Sequence, residues 1–429
     1  MGTLIFILVG IVVFSFTTLH VVTKSNQTKI KSIINIGAFP IFVMANILQI
    51  IEWSFRYYLL GVLLLILAIK GIVDLVIRKD EKTFKLHHVI FNSIGITLLF
   101  FVVISPAMIF PQQRPIQPTG DFLIVTSNFT YADSNRLETY TDTREKRKLA
   151  VQFWFPDDAR EQYPLIVFSH GSLGVRTSNL TLYRELASHG YVVASIDHTY
   201  QCFFTTHDNG KTIILNMNYS RELQGEDARK NRQQSFELYQ KWMNIRMGDI
   251  DFVMDTIISE AKKNKTDLVF QLIDTEKIGV MGHSLGGSAA LGIGRTRDDV
   301  LAVISLEAPF MYDIIDVEDG EFLFTKEKYP VPVLNVYSDS LWEIMSDRPQ
   351  YAMNYSLLTD SEETTHNKHI SGIGHLSLTD FALTSPILTR MIDGQKSTID
   401  RVESVNLINE MSLAFFDHYL KEEGQFSSD

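Results

Sequence analysis

The residue pattern with the clearest chemical meaning is Gly-His-Ser-Leu-Gly-Gly at positions 282–287. It follows a short apolar run, and a stretch of small apolar residues comes after it. A G-x-S-x-G pattern between a strand and a helix is typical of a nucleophile elbow, a sharp turn that exposes a serine hydroxyl. Glycines flank that serine because the turn leaves no room for side chains. We therefore predict that Ser284 is a nucleophile, and an ordinary glycine-rich turn is the alternative interpretation.

The predicted nucleophile needs a base. A serine hydroxyl at its ordinary pKa reacts slowly, so a histidine must take its proton and an acid must orient that histidine. On an elbow of this kind the acid and then the histidine follow the serine in the chain. His375 lies in a loop of small residues after the last predicted strand, and we predict that it is the base. Of the other histidines after Ser284, His366 and His369 fall in a polar stretch that we expect to be exposed, and His418 falls on an amphipathic helix.

Two carboxylates are candidates for the orienting acid. Glu307 follows a predicted strand at 300–306, and Asp339 follows the next predicted strand, at 333–337. Since parallel strands end at the same edge of a sheet, both carboxylates reach the edge where Ser284 is expected. An acid just after a strand can also be a helix cap. One of the two is therefore expected to be structural, and the residue types leave the choice open.

Attack on a carbonyl develops a negative charge that backbone N–H groups can stabilise. The residue after the nucleophile, Leu285, supplies one predicted donor. The second predicted donor is the N–H of Ser172, in a glycine-containing loop that follows the early strand at 165–169. His170 precedes Ser284 in the chain, so we interpret it as a residue that orders this loop and not as the base.

The elements that must position these residues alternate along the second part of the chain. Strand-like apolar runs lie at 149–155, 165–169, 191–196, 278–281, 300–306 and 333–337, and helical patterns at 180–189, 250–262 and 399–420. This alternation predicts an α/β fold whose mostly parallel sheet carries helices on both faces. Residues 199–245 form a long insertion, interpreted either as a cap over the site or as a solvated helical excursion.

The first part of the chain has the pattern of a membrane domain. Four apolar stretches lie at 4–22, 33–51, 58–77 and 89–110. Each is close to the length of about 20 residues that crosses the hydrocarbon core of a bilayer. We predict a transmembrane domain of about four helices at 1–111, a proline-rich linker at 112–120 and a catalytic domain at 121–429.

The loops between the predicted spans indicate an orientation. The cationic residues of the first and third loops are Lys24, Lys29, Lys31, Arg78, Lys79, Lys82 and Lys85, whereas the second loop has only Arg56. By the positive-inside rule the first and third loops are cytoplasmic. The domain at 121–429 is then expected on the extracellular side of the cell membrane.

Composition narrows the classes of function. The chain has 429 residues and a formal net charge of −11, so an electrostatic affinity for nucleic acid is not expected. It has one cysteine, Cys202, which excludes an internal disulfide. The pattern implies no metal and no organic cofactor, and it does not indicate an oligomeric state.

Four segments together resemble a known family. They read FSHGSLGVRT at 168–177, GHSLGG at 282–287, SLEAPF at 305–310 and GIGHLSLTDF at 372–381. This set resembles the plasma-type platelet-activating factor acetylhydrolases and the related bacterial cutinase-like and polyester-cleaving hydrolases. The resemblance covers most of 121–429 and none of the membrane region. It implies an α/β-hydrolase fold and activity on lipid-like or short-acyl esters.

The resemblance also bears on the acid. In the acetylhydrolases the acid follows the elbow serine by about 23 residues in a Leu-Asp-Ala segment, and here Leu306-Glu307-Ala308 has that spacing, since 307 − 284 = 23. This match favours Glu307, although glutamate stands in place of aspartate. In the cutinase-like relatives the acid follows the next strand, which corresponds to Asp339.

These features together predict a membrane-anchored serine hydrolase that cleaves carboxylic esters through an acyl-enzyme intermediate. Its partners are then a small-molecule or lipid ester and the membrane. Two alternatives remain at this point. One is a non-catalytic membrane protein whose hydrolase-like domain binds a ligand or partner, and the other is an acyltransferase with the same triad.

Overall fold

The computed structural model describes residues 1–25, 27–77, 85–158, 161–263, 266–359, 364–394 and 397–426. The chain divides into two compact units. The first comprises Met1–Pro115 and Leu383–Leu388, and the second comprises Ile116–Ala382 and Thr389–Asp429. The division between Pro115 and Ile116 falls within the segment predicted to be a linker.

The first unit contains four long apolar helices. They are α1 (Gly2–Thr23), α2 (Thr28–Ile47), α3 (Phe55–Val76) and α4 (Leu86–Ile109). All four are long and apolar enough to cross a membrane, judged by length and composition. Helix α2 packs against α3 and α1 against α4. Tyr57, Leu60 and Ile104 are buried in the core between these helices, whose outer faces are apolar and exposed.

The observed helix ends differ from the predicted loop boundaries, and some loop residues therefore lie within a helix. Helix α2 begins at Thr28, so Lys29 and Lys31 lie in its first turn and not in the first loop. They still lie at the end of a candidate span, which is where the positive-inside rule counts cationic residues. Arg78, Lys79 and Lys82 of the third loop lie outside the described residues.

The second unit is built on an eight-stranded sheet with the order β1-β2-β4-β3-β7-β8-β11-β12. The strands in chain order are β1 (Ile124–Leu137), β2 (Lys146–Pro156), β3 (Tyr163–Ser169), β4 (Val192–Asp197), β5 (Phe204–Thr206), β6 (Thr212–Ile214), β7 (Ile273–His283), β8 (Val300–Leu306), β9 (Ile314–Glu318), β10 (Glu321–Phe324), β11 (Val333–Ser338) and β12 (Thr365–Ile370). Strand β2 is antiparallel to both of its neighbours. The remaining pairs in this sheet are parallel, which confirms the predicted α/β-hydrolase architecture.

Helices cover both faces of this sheet. The helices of the chain after α4 are α5 (Leu180–Ser188), α6 (Met217–Gly225), α7 (Arg232–Lys263), α8 (Leu268–Gln271), α9 (Leu285–Thr296), α10 (Asp339–Trp342), α11 (Ala352–Thr359), α12 (Phe381–Thr384), α13 (Pro386–Asp393) and α14 (Arg401–Leu420). Alternate residues of β3 enter different cores. Leu165 and Val167 pack in the core that α7 and α9 cover, while Ile166 and Phe168 pack in the core that α5 and α14 cover. A strand buried on both faces is therefore apolar throughout, as predicted.

The structure differs from the predicted elements at the edges of the sheet and in the insertion. The edge strand β1 was not predicted, and β12 replaces the polar stretch that we expected to be exposed. His366 of β12 is only 6% exposed, and its Nε2 lies 2.7 Å from the Tyr419 hydroxyl. The insertion begins with the hairpin β5–β6. Its later part and the predicted helix at 250–262 form one continuous helix, α7.

Candidate active site

Ser284 lies in the turn between β7 and α9, as the elbow pattern predicts. Its backbone has φ 53° and ψ −126°, a left-handed conformation that non-glycine residues rarely adopt. A side chain at Gly282 would begin 2.4 Å from the backbone of Gly286, and one at Gly286 would begin 2.0 Å from the Ser169 carbonyl oxygen. Only glycine fits at these two positions. The turn holds Ser284 partly exposed at the end of the strand.

His375 and Glu307 form a direct pair. His375 Nδ1 lies 2.7 Å from Glu307 Oε1, and the other carboxylate oxygen of Glu307 accepts the Ser338 N–H at 2.5 Å. Glu307 directly follows β8 and has φ 49°, so a left-handed turn directs its side chain to this position. The Glu307 side chain is 3% exposed and that of His375 is 30% exposed. The His375 ring is therefore open on one side, while its carboxylate partner is buried.

Asp339 has different partners. Its Oδ1 lies 2.8 Å from His369 Nε2, and its Oδ2 accepts the Gly372 N–H at 2.7 Å. Its own N–H donates to the Ile373 carbonyl oxygen at 3.0 Å. Asp339 thus fixes the start of the loop that carries His375 through two hydrogen bonds. Among the described residues it forms no hydrogen bond with the His375 ring.

The residue before the nucleophile, His283, connects the base to the elbow. The rings of His283 and His375 have centroids 4.5 Å apart, and His283 Nε2 lies 3.1 Å from the His375 carbonyl oxygen. No hydrogen bond joins Ser284 Oγ to the His375 ring among the described residues. Such bonds commonly shorten only when substrate binds. Sequence reasoning did not single out His283, because a histidine inside the elbow carries no separate signal of a contact 92 residues away.

The surroundings shift the pKa values of the two rings in opposite directions. Burial acts to lower the pKa of His375, but the hydrogen bond and charge of Glu307, with a smaller effect of Asp393, raise it above its ordinary value. Burial and the neighbouring His375 lower the pKa of His283 well below its ordinary value. His283 is therefore neutral, and its Nε2–H can donate to the His375 carbonyl.

The predicted oxyanion donors flank Ser284. Leu285 is the first residue of α9, where a backbone N–H has no intrahelical acceptor. On the other side, a side chain at Gly171 would begin 3.2 Å from Ser284 Cβ, which brings the loop after β3 against the nucleophile. Ser172 follows Gly171 in this loop. The Tyr219 hydroxyl, from the insertion, donates to Ser172 Oγ at 3.2 Å. The roles of the two N–H groups stay predictions.

One group of side chains has the composition of a metal site. The ligand atoms of His170, Asp197 and Cys202 lie within 4.8 Å of one another, and all three residues are buried. The Asp197 oxygens, however, accept hydrogen bonds from the Arg176 N–H and the Thr205 hydroxyl. His170 Nδ1 donates to a carbonyl oxygen. These side chains are engaged within the protein, and we assign them no metal.

Known proteins are similar to the part of the chain that contains the candidate active site. Residues 134–428 match the model of the family described as "Platelet-activating factor acetylhydrolase, isoform II". The platelet-activating factor acetylhydrolase of Canis lupus familiaris is 28% identical over 274 residues, which cover 61% of this chain and 58% of that protein. That of Gallus gallus is 27% identical over 293 residues, covering 62% of this chain and 64% of that protein. The chain thus spans between 58% and 64% of the length of these relatives.

A solved structure supports the fold. The ferulic acid esterase from Streptomyces cinnamoneus superposes with a TM-score of 0.52 at 21% identity, over 72% of this chain and 93% of that chain. At this identity the likeness bears on the fold alone, and it agrees with the α/β-hydrolase sheet described above.

Proposed function

The chain belongs to the platelet-activating factor acetylhydrolase isoform II family, and on this premise we propose that it is a membrane-anchored serine hydrolase of carboxylic esters. Ser284 is the nucleophile, His375 the base and Glu307 the orienting acid. The observation that carries the proposal is the 2.7 Å contact between His375 Nδ1 and Glu307 Oε1, beside a strained serine elbow. A histidine held by a buried carboxylate, near a partly exposed serine on an elbow, is the arrangement that acyl transfer requires.

The chemistry follows the positions of these groups. Ser284 Oγ attacks the acyl carbon while His375 Nε2 takes its proton, and the Leu285 and Ser172 N–H groups hold the oxyanion. The tetrahedral intermediate collapses, and His375 returns the proton to the leaving alcohol. Water, deprotonated by His375, then attacks the acyl-enzyme, and the second tetrahedral intermediate releases the carboxylic acid as His375 returns that proton to Ser284 Oγ. Glu307 keeps Nδ1 protonated throughout, so Nε2 is the atom that takes and returns the proton.

The substrate class rests on the relatives and on the membrane helices. The relatives are named as acetylhydrolases of platelet-activating factor, and by their name they remove an acetyl group. We extend this class to lipid-like or short-acyl esters. Four helices suited to span a bilayer would hold the site near such substrates. The lysines at the ends of the first loop favour an extracellular catalytic domain.

A fluorophosphonate probe tests the proposal directly. It should label the wild-type chain and fail to label Ser284→Ala, whose kcat on a p-nitrophenyl ester should fall about 10⁶-fold. Ser288→Ala is the matched control, because Ser288 is a buried serine in the first turn of α9, directly after the elbow, and it donates to the Pro309 carbonyl oxygen. A wild-type chain that is not labelled would favour the ligand-binding alternative. Product formation only when an acceptor alcohol is supplied would favour an acyltransferase.

A further inference from the structure

A second Ser-His-Asp arrangement lies behind the predicted oxyanion loop. His198 follows β4 directly, and its Nε2 lies 2.8 Å from Ser169 Oγ at the end of β3. Its Nδ1 lies 2.9 Å from Asp249 Oδ2 on α7. All three residues are fully buried. Because no ester can reach Ser169, this buried relay is not a second catalytic site.

The proton positions in the buried relay are determined by its surroundings. Arg147 donates to both oxygens of Asp249, at 2.9 and 2.6 Å. Burial acts to raise the pKa of Asp249, but Arg147 holds it below its usual range, so the carboxylate is ionised and only accepts hydrogen bonds. Nδ1 of His198 must then donate to it. Burial lowers the pKa of His198 to about 4, so its Nε2 is unprotonated and accepts the Ser169 hydroxyl proton.

The relay acts on the backbone that leads into the oxyanion loop. The N–H of His198 lies 3.3 Å from His170 Nε2, and His170 Nδ1 lies 2.7 Å from the Gly171 carbonyl oxygen. A carbonyl only accepts, so His170 is neutral with its proton on Nδ1. Two hydrogen bonds through the His170 ring thus connect the His198 N–H to the peptide between Gly171 and Ser172.

The same backbone packs directly on the elbow. A side chain at Gly286 would begin 2.0 Å from the Ser169 carbonyl oxygen and 2.5 Å from that of His170. The peptides at the end of β3 thus pack directly against the first turn of α9, the helix that begins with Leu285. A rotation of the Ser169 peptide would therefore change the spacing between the two predicted oxyanion donors.

We propose that Ser169 and His198 are positioning residues of the oxyanion hole, which set the direction of the Ser172 N–H through the backbone at 169–171. The inference rests on the proposed function. The relay transfers no proton during the reaction and touches no substrate. Its effect is confined to the stage at which negative charge develops on the carbonyl oxygen, because an N–H held in place before the reaction stabilises the transition state more than the bound ester.

The test compares two buried serines on neighbouring strands. Ser169→Ala removes the relay's hydroxyl. Ser195→Ala is the matched control, because Ser195 is also fully buried and pairs in register with Phe168, and among the described residues its hydroxyl bonds that of Tyr183 alone, at 3.4 Å. Both variants are prepared in the full chain in detergent, and kcat and KM are measured on one p-nitrophenyl ester. Inhibition by a trifluoromethyl ketone, which mimics the tetrahedral intermediate, is measured alongside.

Ser169→Ala should lower kcat by about 10- to 100-fold, less than the loss of a whole oxyanion donor, with KM changed by less than about threefold. The affinity for the trifluoromethyl ketone should fall by the same factor as kcat/KM. Ser195→Ala should keep kcat within about threefold of the wild type. Ser169→Cys, which keeps a weaker donor of similar size, should recover part of the loss, and it serves as the second variant if Ser169→Ala does not fold.

Three results would overturn the inference. The first is a kcat for Ser169→Ala, or for Ser169→Cys if only that variant folds, within about threefold of the wild type. The second is an equal loss in Ser195→Ala, which would indicate a general effect of buried serines. The third is a loss of kcat without a matching loss of inhibitor affinity. If fluorophosphonate labels the wild-type chain, these results count against the relay alone, whereas a chain that is never labelled counts against the proposed function as well.

Discussion

Replacing Glu307 by glutamine should nearly abolish activity through the tautomer of His375. Glutamine has almost the same volume, and its carbonyl oxygen can keep the hydrogen bond from the Ser338 N–H, which is 2.5 Å long in the wild type. Its NH₂ group would then face His375 Nδ1, where Glu307 Oε1 lies at 2.7 Å. An NH₂ group can only donate, so Nδ1 would become the acceptor and Nε2 would carry the proton. That tautomer cannot take the proton of Ser284.

The magnitude follows from the role of the acid. Loss of the orienting carboxylate in a serine triad costs about 10⁴-fold in kcat, or about 5.5 kcal/mol of transition-state stabilisation. Asp339→Asn is the comparison, because Asp339 is 32% exposed and contacts His369 and the Gly372 N–H instead of the His375 ring. Asparagine can keep the Gly372 contact through its carbonyl oxygen, and its NH₂ can donate to His369 Nε2 when that nitrogen carries no proton. We expect a cost of about 1 kcal/mol in stability and less than a tenfold loss in kcat.

The assay is kcat on a p-nitrophenyl ester for the two purified variants, with thermal unfolding measured on the same samples. A fall of kcat in Glu307→Gln with an unchanged melting temperature is the expected result. A collapse of kcat in Asp339→Asn, with Glu307→Gln near the wild type, would assign the orienting role to Asp339 instead. Small and equal losses in both variants would mean that neither carboxylate orients His375.

Three further predictions use other measurements. The kcat/KM of the wild type should rise with pH through an apparent pKa above 6.5, because Glu307 raises the pKa of His375 and the base works only when neutral; the residual activity of Glu307→Gln should titrate at a lower pH. Protease added to intact cells should remove the C-terminal unit, and protection until the membrane is breached would show the opposite orientation. Acidification from pH 7 to pH 4 should remove on the order of 3 kcal/mol that His198 contributes to the free energy of unfolding, because its pKa is about 4 when folded and about 6.5 when unfolded, so the unfolded chain binds the proton first; a difference in denaturant midpoint between the wild type and His198→Gln that stays constant over this range would contradict this assignment.

Features that depend on neighbouring residues were predictable from the sequence. The elbow at 282–287 is such a feature, because its glycines and serine act within one turn. The four apolar helices are another, because a span requires only length and apolar composition. The central strands of the sheet were also predictable, since a strand buried on both faces is apolar throughout. The edge strand β12 carries no such signal. It pairs on one side only, and its sequence, Thr-His-Asn-Lys-His-Ile, is largely polar.

The hydrogen-bond partners of the two candidate acids became visible only in the tertiary structure. Glu307 and Asp339 both follow strands that end at the same edge, and the strand pattern does not separate them. The left-handed backbone at Glu307 directs its carboxylate toward His375, whereas Asp339 bonds the start of the His375 loop.

The contacts of the buried relay depend on the tertiary structure even more strongly. Ser169 and His198 lie 29 positions apart, and His198 and Asp249 lie 51 apart. Only the packing of β3, β4 and α7 brings them within hydrogen-bond distance, and contacts between residues so distant in the chain leave no local pattern in it.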